Sequence, residues 1–239
     1  MGYQIYSDTD RDKRLMAMGQ MAASLAHEIR NPLGSMELFC TLLKKDLTDQ
    51  PTLLQLADQI HSGILTVNHI ITNCLQFARE VNVNKKQISN LEEFLSGCLS
   101  ALTAKSEQGK VELRIEHNAQ GAVWLDSYLM KQVVINLGAN AIDAAAERMQ
   151  REPGYQGVVR FISDFSDAQI WHLHVADNGP GMPQQIVEHI FEPFFSTKKA
   201  GTGLGLAIVH NLVLAHGGRI GINNNDQGGC TISVCVPYK

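Results

Sequence analysis

The sequence lacks the features that would place its 239 residues in a membrane or on nucleic acid. No apolar run approaches the roughly 18 residues of a membrane-spanning helix, and the first residues do not have the pattern of a signal peptide. Basic residues form no cluster longer than a pair and the net charge is −4, so we expect no nucleic-acid partner. These absences favour a cytoplasmic protein with no membrane segment in this chain.

Cysteine is scarce, and its arrangement excludes two structural uses. The five cysteines are odd in number and contain no C-x-x-C pair, which argues against a disulfide framework and against a zinc site. They fit buried thiols in a reducing compartment. With 44% hydrophobic and 18% charged residues, the composition is that of an ordinary globular protein.

Helical periodicity dominates the first third of the chain. Apolar residues recur every three or four positions from about residue 13 to 47 and again from about residue 52 to 80. Asp49 and Gln50 form a turn between the two predicted helices, and Pro51 is placed to begin the second. Two amphipathic helices joined by a short turn form an antiparallel hairpin. We interpret the polar residues 1–12 as the remnant of an upstream sensor or linker.

One hairpin cannot bury both of its apolar stripes. Pairing with a second copy of the chain would bury them in a four-helix bundle, so we predict a homodimer. The alternative is that the stripes pack against the C-terminal half of the same chain. The stripes consist of Leu15, Met18, Ala22, Leu25, Ile29, Leu33 and Met36 on the first helix, and of Leu53, Leu56, Ile60, Ile64, Val67, Ile71 and Leu75 on the second.

The first predicted helix carries a histidine beside a backbone defect. His27 and Asn31 are four residues apart and share a face, with Glu28 next to the histidine. Pro32 cannot donate a backbone hydrogen bond and crowds the carbonyl of Glu28, so we expect the helix to bend or loosen there. The combination indicates a reactive histidine. The alternative is an ordinary helix that happens to contain a histidine and a proline.

Beyond residue 80 the pattern changes from long helices to mixed segments. The polar residues 81–86 are interpreted as a linker between domains at 13–80 and 87–239. Turns join most of the predicted strands and helices cluster around them, which predicts a two-layer α/β sandwich with a mixed sheet. Together with the hairpin this is an α+β fold. Helices are predicted at about 90–108, 127–150 and 204–216, and strands at 111–116, 122–125, 158–164, 170–176, 219–223 and 231–236.

Two asparagines stand out in the predicted helix at 127–150. Asn136 and Asn140 are four residues apart, so their amides face the same way. Paired amides can hold phosphate oxygens and the water shell of Mg²⁺ without neutralising charge. Asparagines that simply bond to the backbone are the alternative.

A carboxylate follows the strand predicted at 170–176. Asp177 precedes Gly179 and Gly181, which let the backbone approach a ligand closely. An aspartate accepts a hydrogen bond from an exocyclic amine, which selects adenine over guanine. The alternative is an ordinary turn, since Asp-Asn-Gly-Pro-Gly forms turns in many proteins.

Three phenylalanines surround Pro193 further along the chain. Phe191, Phe194 and Phe195 would anchor a mobile loop to the core. Lys198, at the end of this motif, would then reach a phosphate as a point charge. Phenylalanines in such a cluster also serve simply as core.

Alternating glycines lead directly into the apolar helix predicted at 204–216. Backbone N–H groups at a helix start bind anions, and Gly201, Gly203 and Gly205 permit a close approach. The third glycine comes too early for a G-x-G-x-x-G fingerprint, and the lysine of a P-loop is missing. Gly217 and Gly218 are expected to cap the end of the helix.

In this order, the four motifs resemble the N, G1, F and G2 boxes of the GHKL nucleotide-binding fold, which gyrase, the Hsp90 chaperones, MutL and sensor histidine kinases share. With the motif at residues 27–33 on a hairpin upstream, the chain resembles a two-component sensor histidine kinase from about residue 13 to 239. The resemblance implies a Bergerat-type catalytic domain with ATP and Mg²⁺ as cofactors.

The resemblance also implies roles for the hairpin residues. His27 would be the phosphoacceptor that attacks the γ-phosphate of ATP, and Glu28 would hydrogen-bond its other ring nitrogen. Asn31 matches the position that orients a water against the phosphoaspartate of the partner, which implies phosphatase activity beside the kinase. The partner would be a response-regulator receiver domain that docks on the hairpin near His27.

The residues of the nucleotide pocket follow from the same similarity. Asn140 matches the Mg²⁺-binding asparagine, with Asn136 in support, and Asp177 matches the adenine-binding aspartate. Thr231 matches a position that assists adenine binding. The remaining residues implied in nucleotide binding are Gly179, Gly181, Lys198, Gly201, Thr202, Gly203, Leu204 and Gly205.

One position departs from the family pattern. Asp143 stands where many sensor kinases carry a basic or aromatic residue that touches the nucleotide, which leaves Lys198 as the candidate for that contact. The first two motifs resemble nitrogen-sensor-type kinases, and residues 34–39 resemble the flagellar-regulon members of that group. Two alternatives to a kinase remain: a GHKL ATPase that acts as a conformational clamp, and a non-catalytic ATP-binding scaffold.

Overall fold

The computed structural model describes residues 29–78, 81–117, 121–167, 169–198, 201–226 and 228–238. The chain folds as two compact units, one of which ends before Val81, where the other begins. His27, Glu28 and the polar segment at 1–12 lie outside the described residues. The domain boundaries inferred from the sequence stay predictions.

The first unit is a helical hairpin, as the periodicity predicts. Helix α1 covers the described residues 29–46, and α2 spans Pro51–Ala78, so Pro51 is the first residue of its helix. Leu33, Cys40, Ile64 and Ile71 are buried between the helices, with Leu75 packed against them. A thiol hydrogen bond from Cys40 Sγ to the carbonyl oxygen of Ala57 (3.1 Å) also joins the two helices.

Helix α1 continues through Pro32 to residue 46. The predicted loosening concerns the carbonyl of Glu28, so it falls outside the described residues. Ser35 Oγ donates to the carbonyl oxygen of Asn31, the residue before the proline (3.3 Å). The described part of the helix therefore adapts to Pro32 without a break.

The second unit begins with a short strand and alternates helices with strands. Its elements are β1 (Lys86–Ile88), α3 (Leu91–Ser100), α4 (Thr103–Gly109), β2 (Glu112–His117), β3 (Val123–Leu125), α5 (Ser127–Arg151), β4 (Val158–Asp167), β5 (Ile170–Asp177), α6 (Gln184–Val187), α7 (Gly205–Ala215), β6 (Arg219–Asn224) and β7 (Cys230–Pro237).

The main sheet has five strands in the order β2-β4-β5-β7-β6. Strands β2 and β4 are parallel, and the other neighbours are antiparallel, which gives the predicted mixed sheet. Strands β1 and β3 form a separate antiparallel pair with Lys86 opposite Leu125.

Helices and sheet form two layers around one core. Helix α5 contacts β4 and β5, while α3 contacts β2 and α7 contacts β6 and β7. Alternate strand residues are buried beneath these helices, as expected for a sheet with one covered face. They include Phe161, Trp171, Leu173, Val175, Val234 and Val236. The predicted α+β architecture is thereby confirmed.

The helix predicted at 90–108 is wrong in one respect, because it is two helices. The chain bends between α3 and α4, where Leu102 is 2% exposed. A Cβ on Gly138 of α5 would lie 2.4 Å from Leu102 Cδ1, so the absence of a side chain at Gly138 makes room for this leucine. A tertiary contact thus sets the bend.

Candidate functional site

Helix α5 supplies one wall of the site. Asp126 caps its N-terminus, since the carboxylate accepts from the backbone N–H groups of Tyr128 and Leu129 at 3.1 Å each. Asn136 and Asn140 follow on one face, and both are partly buried. Asn136 Nδ2 donates to the carbonyl oxygen of Gln132 (3.0 Å), which fixes the orientation of its amide.

Asp177 is the last residue of β5, a strand that contacts α5. Its Oδ1 accepts from the backbone N–H of Gly179 at 2.8 Å and from that of Cys230 at 3.3 Å. Both bonds use the same oxygen, which leaves Oδ2 as the acceptor for a ligand. Burial raises the pKa of the Asp177 carboxyl, and its hydrogen bonds to the backbone oppose that rise.

Asn178 holds the turn that follows Asp177. Its Oδ1 accepts from the backbone N–H of Val158 (2.8 Å), and its Nδ2 donates to the carbonyl oxygen of Gln156 (2.8 Å). The turn is therefore pinned to the start of β4. Its asparagine serves the backbone, while the neighbouring aspartate faces the site.

Arg148 of α5 holds the same turn from the other side. Its Nη1 donates to the carbonyl oxygens of Asn178 (3.2 Å) and Gly179 (3.4 Å). The guanidinium carbon also lies 4.1 Å from the centre of the Tyr155 ring, a cation–π contact. Sequence reasoning missed Arg148, because nothing in its local pattern separates it from the exposed Arg151.

Gly179 brings this turn against α5. A Cβ at Gly179 would lie 2.8 Å from the backbone carbon and oxygen of Ala144, four residues after Asn140. Only a residue without a side chain permits that approach. The aspartate and the paired asparagines are thereby brought to one region of the molecule.

Two further asparagines, to which the sequence pattern gave no role, hold the backbone near Asp177. Asn224 Oδ1 accepts from the backbone N–H of Met182 (2.9 Å), and its Nδ2 donates to the Met182 carbonyl oxygen (2.7 Å). Asn225 Nδ2 donates to the backbone oxygen of Asp177 (3.0 Å), and Thr231 Oγ1 donates to Asn225 Oδ1 (2.7 Å). Thr231 thus supports Asp177 through Asn225, whereas Cys230 bonds to it directly. The run Asn223-Asn224-Asn225 before two glycines was the available signal.

The F and G2 motifs meet beside the asparagines. A Cβ at Gly203, whose φ is +67°, would lie 2.4 Å from the backbone carbon of Phe194, so the two motifs touch through their main chains. Phe194 itself has a φ of +66° and a 62% exposed side chain, and it does not anchor the loop by burial. Leu204 is buried, and its N–H bonds to Thr202 Oγ1 (3.3 Å).

The start of α7 faces the paired asparagines. An added Cβ on Gly205 would lie 3.4 Å from Asn136 Oδ1 and 4.0 Å from Asn140 Nδ2. Unpaired backbone N–H groups of a helix start favour an anion. Gly201 and Gly203 precede this start, as the sequence predicts, and Gly181 lies near Asn224 on the other side of the site.

Three charged side chains lie at the same end of the site. Lys198 Nζ contacts Asp143 Oδ2 (2.6 Å) and Asn140 Oδ1 (3.4 Å), while Lys105 Nζ contacts Asp143 Oδ1 (2.7 Å). Burial alone would raise the pKa of Asp143, but the hydrogen bonds and charges of the two lysines hold it below its usual value. The sequence predicted Lys198 at a phosphate but not its contact with Asp143, and it gave no role to Lys105.

The described side chains fit a nucleotide with a divalent cation. A free carboxylate oxygen at Asp177 suits an amino-bearing base, and the lysines and the start of α7 suit phosphates. No group of three His, Cys, Asp or Glu side chains within the described ranges could hold a metal alone. Mg²⁺ commonly binds through few protein ligands plus substrate phosphates, and the amide oxygen of Asn140 is a ligand of the kind that Mg²⁺ accepts.

Two predicted site residues, His27 and Glu28, lie outside the described part of the chain. Asn31 is described, and its side chain is exposed on α1. None of the described helices combines the length and the apolar character of a membrane span.

Two family models match the chain. Residues 17–82 match the His Kinase A (phospho-acceptor) domain, and residues 125–239 match the histidine kinase-, DNA gyrase B- and HSP90-like ATPase family. The first match contains His27 and the second contains Asn140 and Asp177.

Named relatives are similar to nearly the whole chain. The sensor histidine kinase ZraS of Escherichia coli strain K12 is 29% identical over 98% of this chain and 49% of its own length. The chain thus spans about half the length of such relatives. A crystal structure of histidine kinase ThkA in complex with response regulator protein TrrA matches 96% of this chain and 64% of that chain, at 28% identity and a TM-score of 0.68.

A third comparison bears on the fold alone. Full-length ShkA, solved in complex with AMPPNP, has a TM-score of 0.75 over 92% of this chain and 46% of that chain at 21% identity. Both domain matches, their order and the relatives agree with the motifs and with the geometry of the site. The chain belongs to the two-component sensor histidine kinases, with a phospho-acceptor domain followed by an ATPase-type catalytic domain.

Proposed function

We propose that this chain is the catalytic core of a sensor histidine kinase. It binds ATP with Mg²⁺, phosphorylates His27, passes the phosphoryl group to an aspartate of a response regulator, and dephosphorylates that regulator. The observation that carries the proposal is the convergence of the asparagine pair, Asp177 and the start of α7 in one site. The match to the phospho-acceptor domain, which contains His27, precedes that site in the same chain.

Asp177 would select the adenine base. Its Oδ1 is occupied by the N–H groups of Gly179 and Cys230, so Oδ2 would accept from the exocyclic amine of adenine. Guanine presents an oxygen at that position, and an ionised carboxylate would repel it. Asn225 and Thr231 would hold the backbone of Asp177 in place.

The opposite end would take the phosphates. ATP supplies the phosphoryl group, and Mg²⁺ screens the phosphate charges while the group transfers. Asn140 would bind the cation or its water shell, with Asn136 beside it. Lys198 and the backbone N–H groups at Gly201 to Gly205 would bind phosphate oxygens.

The hairpin would provide both the acceptor and the docking surface. His27 would attack the phosphoryl group, with Glu28 fixing the tautomer of its ring. The exposed amide of Asn31 is accessible to a docked receiver domain, where it would orient the water that hydrolyses the phosphoaspartate. The match to ThkA, solved with a response regulator, supports a receiver domain as the partner.

Homodimerisation would complete the hairpin. Ile29, Met36, Phe39 and Leu43 are exposed on α1 at spacings of seven, three and four residues. A matching exposed row on α2 consists of Leu53, Leu56, Ile60 and Val67. These rows have the periodicity of a helix-bundle seam, which supports a four-helix bundle built from two copies.

The direct test is phosphorylation with γ-labelled ATP and Mg²⁺, run on the wild type and on His27→Gln. We expect label that is lost in acid, survives alkali and is absent from the variant, as for phosphohistidine. ATP hydrolysis without retained label would favour a conformational clamp. Nucleotide binding without hydrolysis or label would favour a scaffold.

A further inference from the structure

Asp143 occupies the position in which this chain departs from the common family pattern, and it lies between two lysines. Lys105 comes from α4 and Lys198 follows the phenylalanine motif, so three separate segments meet at one carboxylate. Both carboxylate oxygens are engaged, one by each ammonium group. The structure thus places a negative charge at the end of the site where phosphates would bind.

Lys198 also lies against the amide that would bind the cation. Its Nζ is 3.4 Å from Asn140 Oδ1, on the amide oxygen that Mg²⁺ or its water would use. The ammonium group and a divalent cation would compete for the same oxygen, because two positive charges at that distance repel each other. Lys198 in this position has to move when a metal–nucleotide complex binds.

We propose that Asp143 is a positioning residue that retains Lys198 at Asn140 until a phosphate chain takes the lysine over. The exchange leaves Asp143 paired with Lys105, which keeps its charge balanced. No covalent bond forms or breaks, since the ammonium group of Lys198 only changes its ion-pair partner from a carboxylate to a phosphate. This inference rests on the proposed nucleotide site and adds a regulatory contact and two residues, Asp143 and Lys105, to it.

The proposal fits the exposure of the three groups. The side chains of Lys105, Asp143 and Lys198 are 40%, 36% and 42% exposed, so their ion pairs are partly solvated and weak enough to exchange. A phosphate chain with several negative charges offers Lys198 a stronger partner than a single carboxylate does. Lys105 prevents Asp143 from being left as an unpaired charge after the exchange.

The test measures binding of a non-hydrolysable ATP analogue with Mg²⁺ by titration calorimetry. In the wild-type background, Asp143→Asn removes the competitor for Lys198, so we expect binding about threefold tighter, in keeping with a partly exposed ion pair. In the Lys198→Ala background the same substitution has no lysine to release, so its effect should shrink toward none. Equal effects in both backgrounds would overturn the inference.

Lys105→Ala separates this role from a structural one. Removing Lys105 leaves Lys198 as the partner of Asp143, so we expect binding about twofold weaker, opposite in sign to Asp143→Asn. If the Lys105–Asp143 pair merely joined α4 to α5, both substitutions would lower the melting temperature and change affinity in the same direction. That result would contradict the inference.

A matched control lies one turn further along α5. Glu147 is also ion-paired, with Arg151, but it is exposed on the outside of the helix. Glu147→Gln removes the same charge and should leave nucleotide affinity unchanged. A wild type that bound no nucleotide would overturn the proposed function as well, whereas normal wild-type binding with additive effects would overturn this inference alone.

Discussion

The two carboxylate oxygens of Asp177 have different tasks. Oδ1 accepts from the N–H groups of Gly179 and Cys230, and Oδ2 is the one left for a ligand. In Asp177→Asn the amide oxygen would keep the two backbone bonds, which would place the NH₂ group where Oδ2 was. The NH₂ group of the new side chain would then face the exocyclic amine of adenine, and both groups are hydrogen-bond donors.

We therefore expect Asp177→Asn to weaken ADP binding by about 10- to 100-fold, since a hydrogen bond to a charged group becomes a donor–donor contact. The fold should survive, because the bonds that hold the turn remain. Calorimetric titration with ADP and with GDP, alongside a thermal melt, tests both points. Unchanged ADP affinity in a folded variant would show that Asp177 does not bind the adenine base.

Arg148 is the second residue on which the Asp177 turn depends. It donates to the carbonyl oxygens of Asn178 and Gly179 and lies over Tyr155. Arg148→Ala leaves the carbonyl oxygen of Gly179 without this donor, whereas that of Asn178 keeps the hydroxyl of Tyr155 (3.1 Å), and the loss costs about 1–3 kcal/mol of unfolding free energy. We expect lower stability by about that amount in urea unfolding and ADP binding about fivefold weaker.

Arg151→Ala is the control for Arg148. Its side chain is 64% exposed and pairs with Glu147 on the surface of the same helix. Such surface substitutions stay within about 0.5 kcal/mol. Equal losses from both variants would mean that Arg148 acts through helix stability and not through the turn.

At this scale the sequence indicated the residues that we propose to contact the ligand, but not the residues that hold them in place. Asp177, Asn136 and Asn140 belong to short motifs with a chemical reason for each side chain. Arg148, Lys105 and Asn225 act through partners 30, 38 and 48 residues away, measured to Asn178, Asp143 and Asp177. Local spacing carries no information about such contacts, so only the fold reveals them.

Among the elements, the junction between β3, α5 and α7 depends on a buried histidine. His216, at the end of α7, is 1% exposed. Its Nδ1 donates to the carbonyl oxygen of Leu212 (2.7 Å), and its Nε2 accepts from the backbone N–H of Asp126 (3.2 Å). A ring that donates with one nitrogen and accepts with the other is neutral.

This arrangement predicts a loss of stability in mild acid. Burial lowers the pKa of His216 below its usual value of 6.5. As the pH falls through 6.5, the unfolded chain takes up a proton that the folded chain does not, so the free energy of unfolding decreases. The decrease continues down to the folded-state pKa, with a slope of at most about 1.4 kcal/mol per pH unit.

Urea unfolding between pH 8 and pH 5 measures this slope. Burial also lowers the pKa of His174, so wild type should be compared with His216→Gln, which should be less stable at pH 8 and have the shallower dependence. His189→Gln, at an exposed histidine, controls for the loss of any one imidazole. Identical slopes in wild type and His216→Gln would refute the assignment.

The hairpin provides a second prediction at the level of elements. Leu43 belongs to the exposed row on α1. Thr41 is also exposed and lies on the opposite side of the same helix, because two residues of an α-helix are about 200° apart around its axis. If two hairpins pair along that row, Leu43→Glu buries a charge in the interface and should convert the dimer to monomer. Thr41→Glu adds the same charge and should leave the dimer intact.

Size-exclusion chromatography with light scattering measures the molar mass of the wild type and of both hairpin variants. A wild type that is monomeric at every concentration would exclude the four-helix bundle. A Leu43→Glu protein that stays dimeric would place the interface elsewhere.

Sequence periodicity predicted the long elements and missed those that depend on distant partners. The two hairpin helices and α5 follow from apolar spacing. Strand β1 has only three residues and pairs with β3, 37 residues further on, so local spacing does not predict it, and its first residue, Lys86, falls in the predicted linker. The bend between α3 and α4 contains no glycine or proline; Leu102 enters the space beside Gly138, which no local pattern reveals.

For the whole molecule, the main consequence of the fold is that the proposed nucleotide site lies within one of the two units. Every contact described around Asp177, Asn140 and Lys198 is made by residues between 105 and 231, within the second unit. The proposed acceptor, His27, lies in the range of the chain that belongs to the other unit. Nucleotide binding should therefore be a property of one unit, whereas phosphorylation needs both.

We expect a fragment of residues 81–239 to bind ADP within about twofold of the whole chain. Mixed with a fragment of residues 1–80, it should label His27 slowly, at a rate proportional to concentration, because the linker no longer supplies an effective concentration in the millimolar range. Titration calorimetry and labelling with γ-labelled ATP measure the two properties separately. A fragment that is folded but does not bind ADP would mean that the hairpin contributes to the nucleotide site. Labelling as fast as in the intact chain at micromolar concentration would mean that the two units associate tightly without the linker.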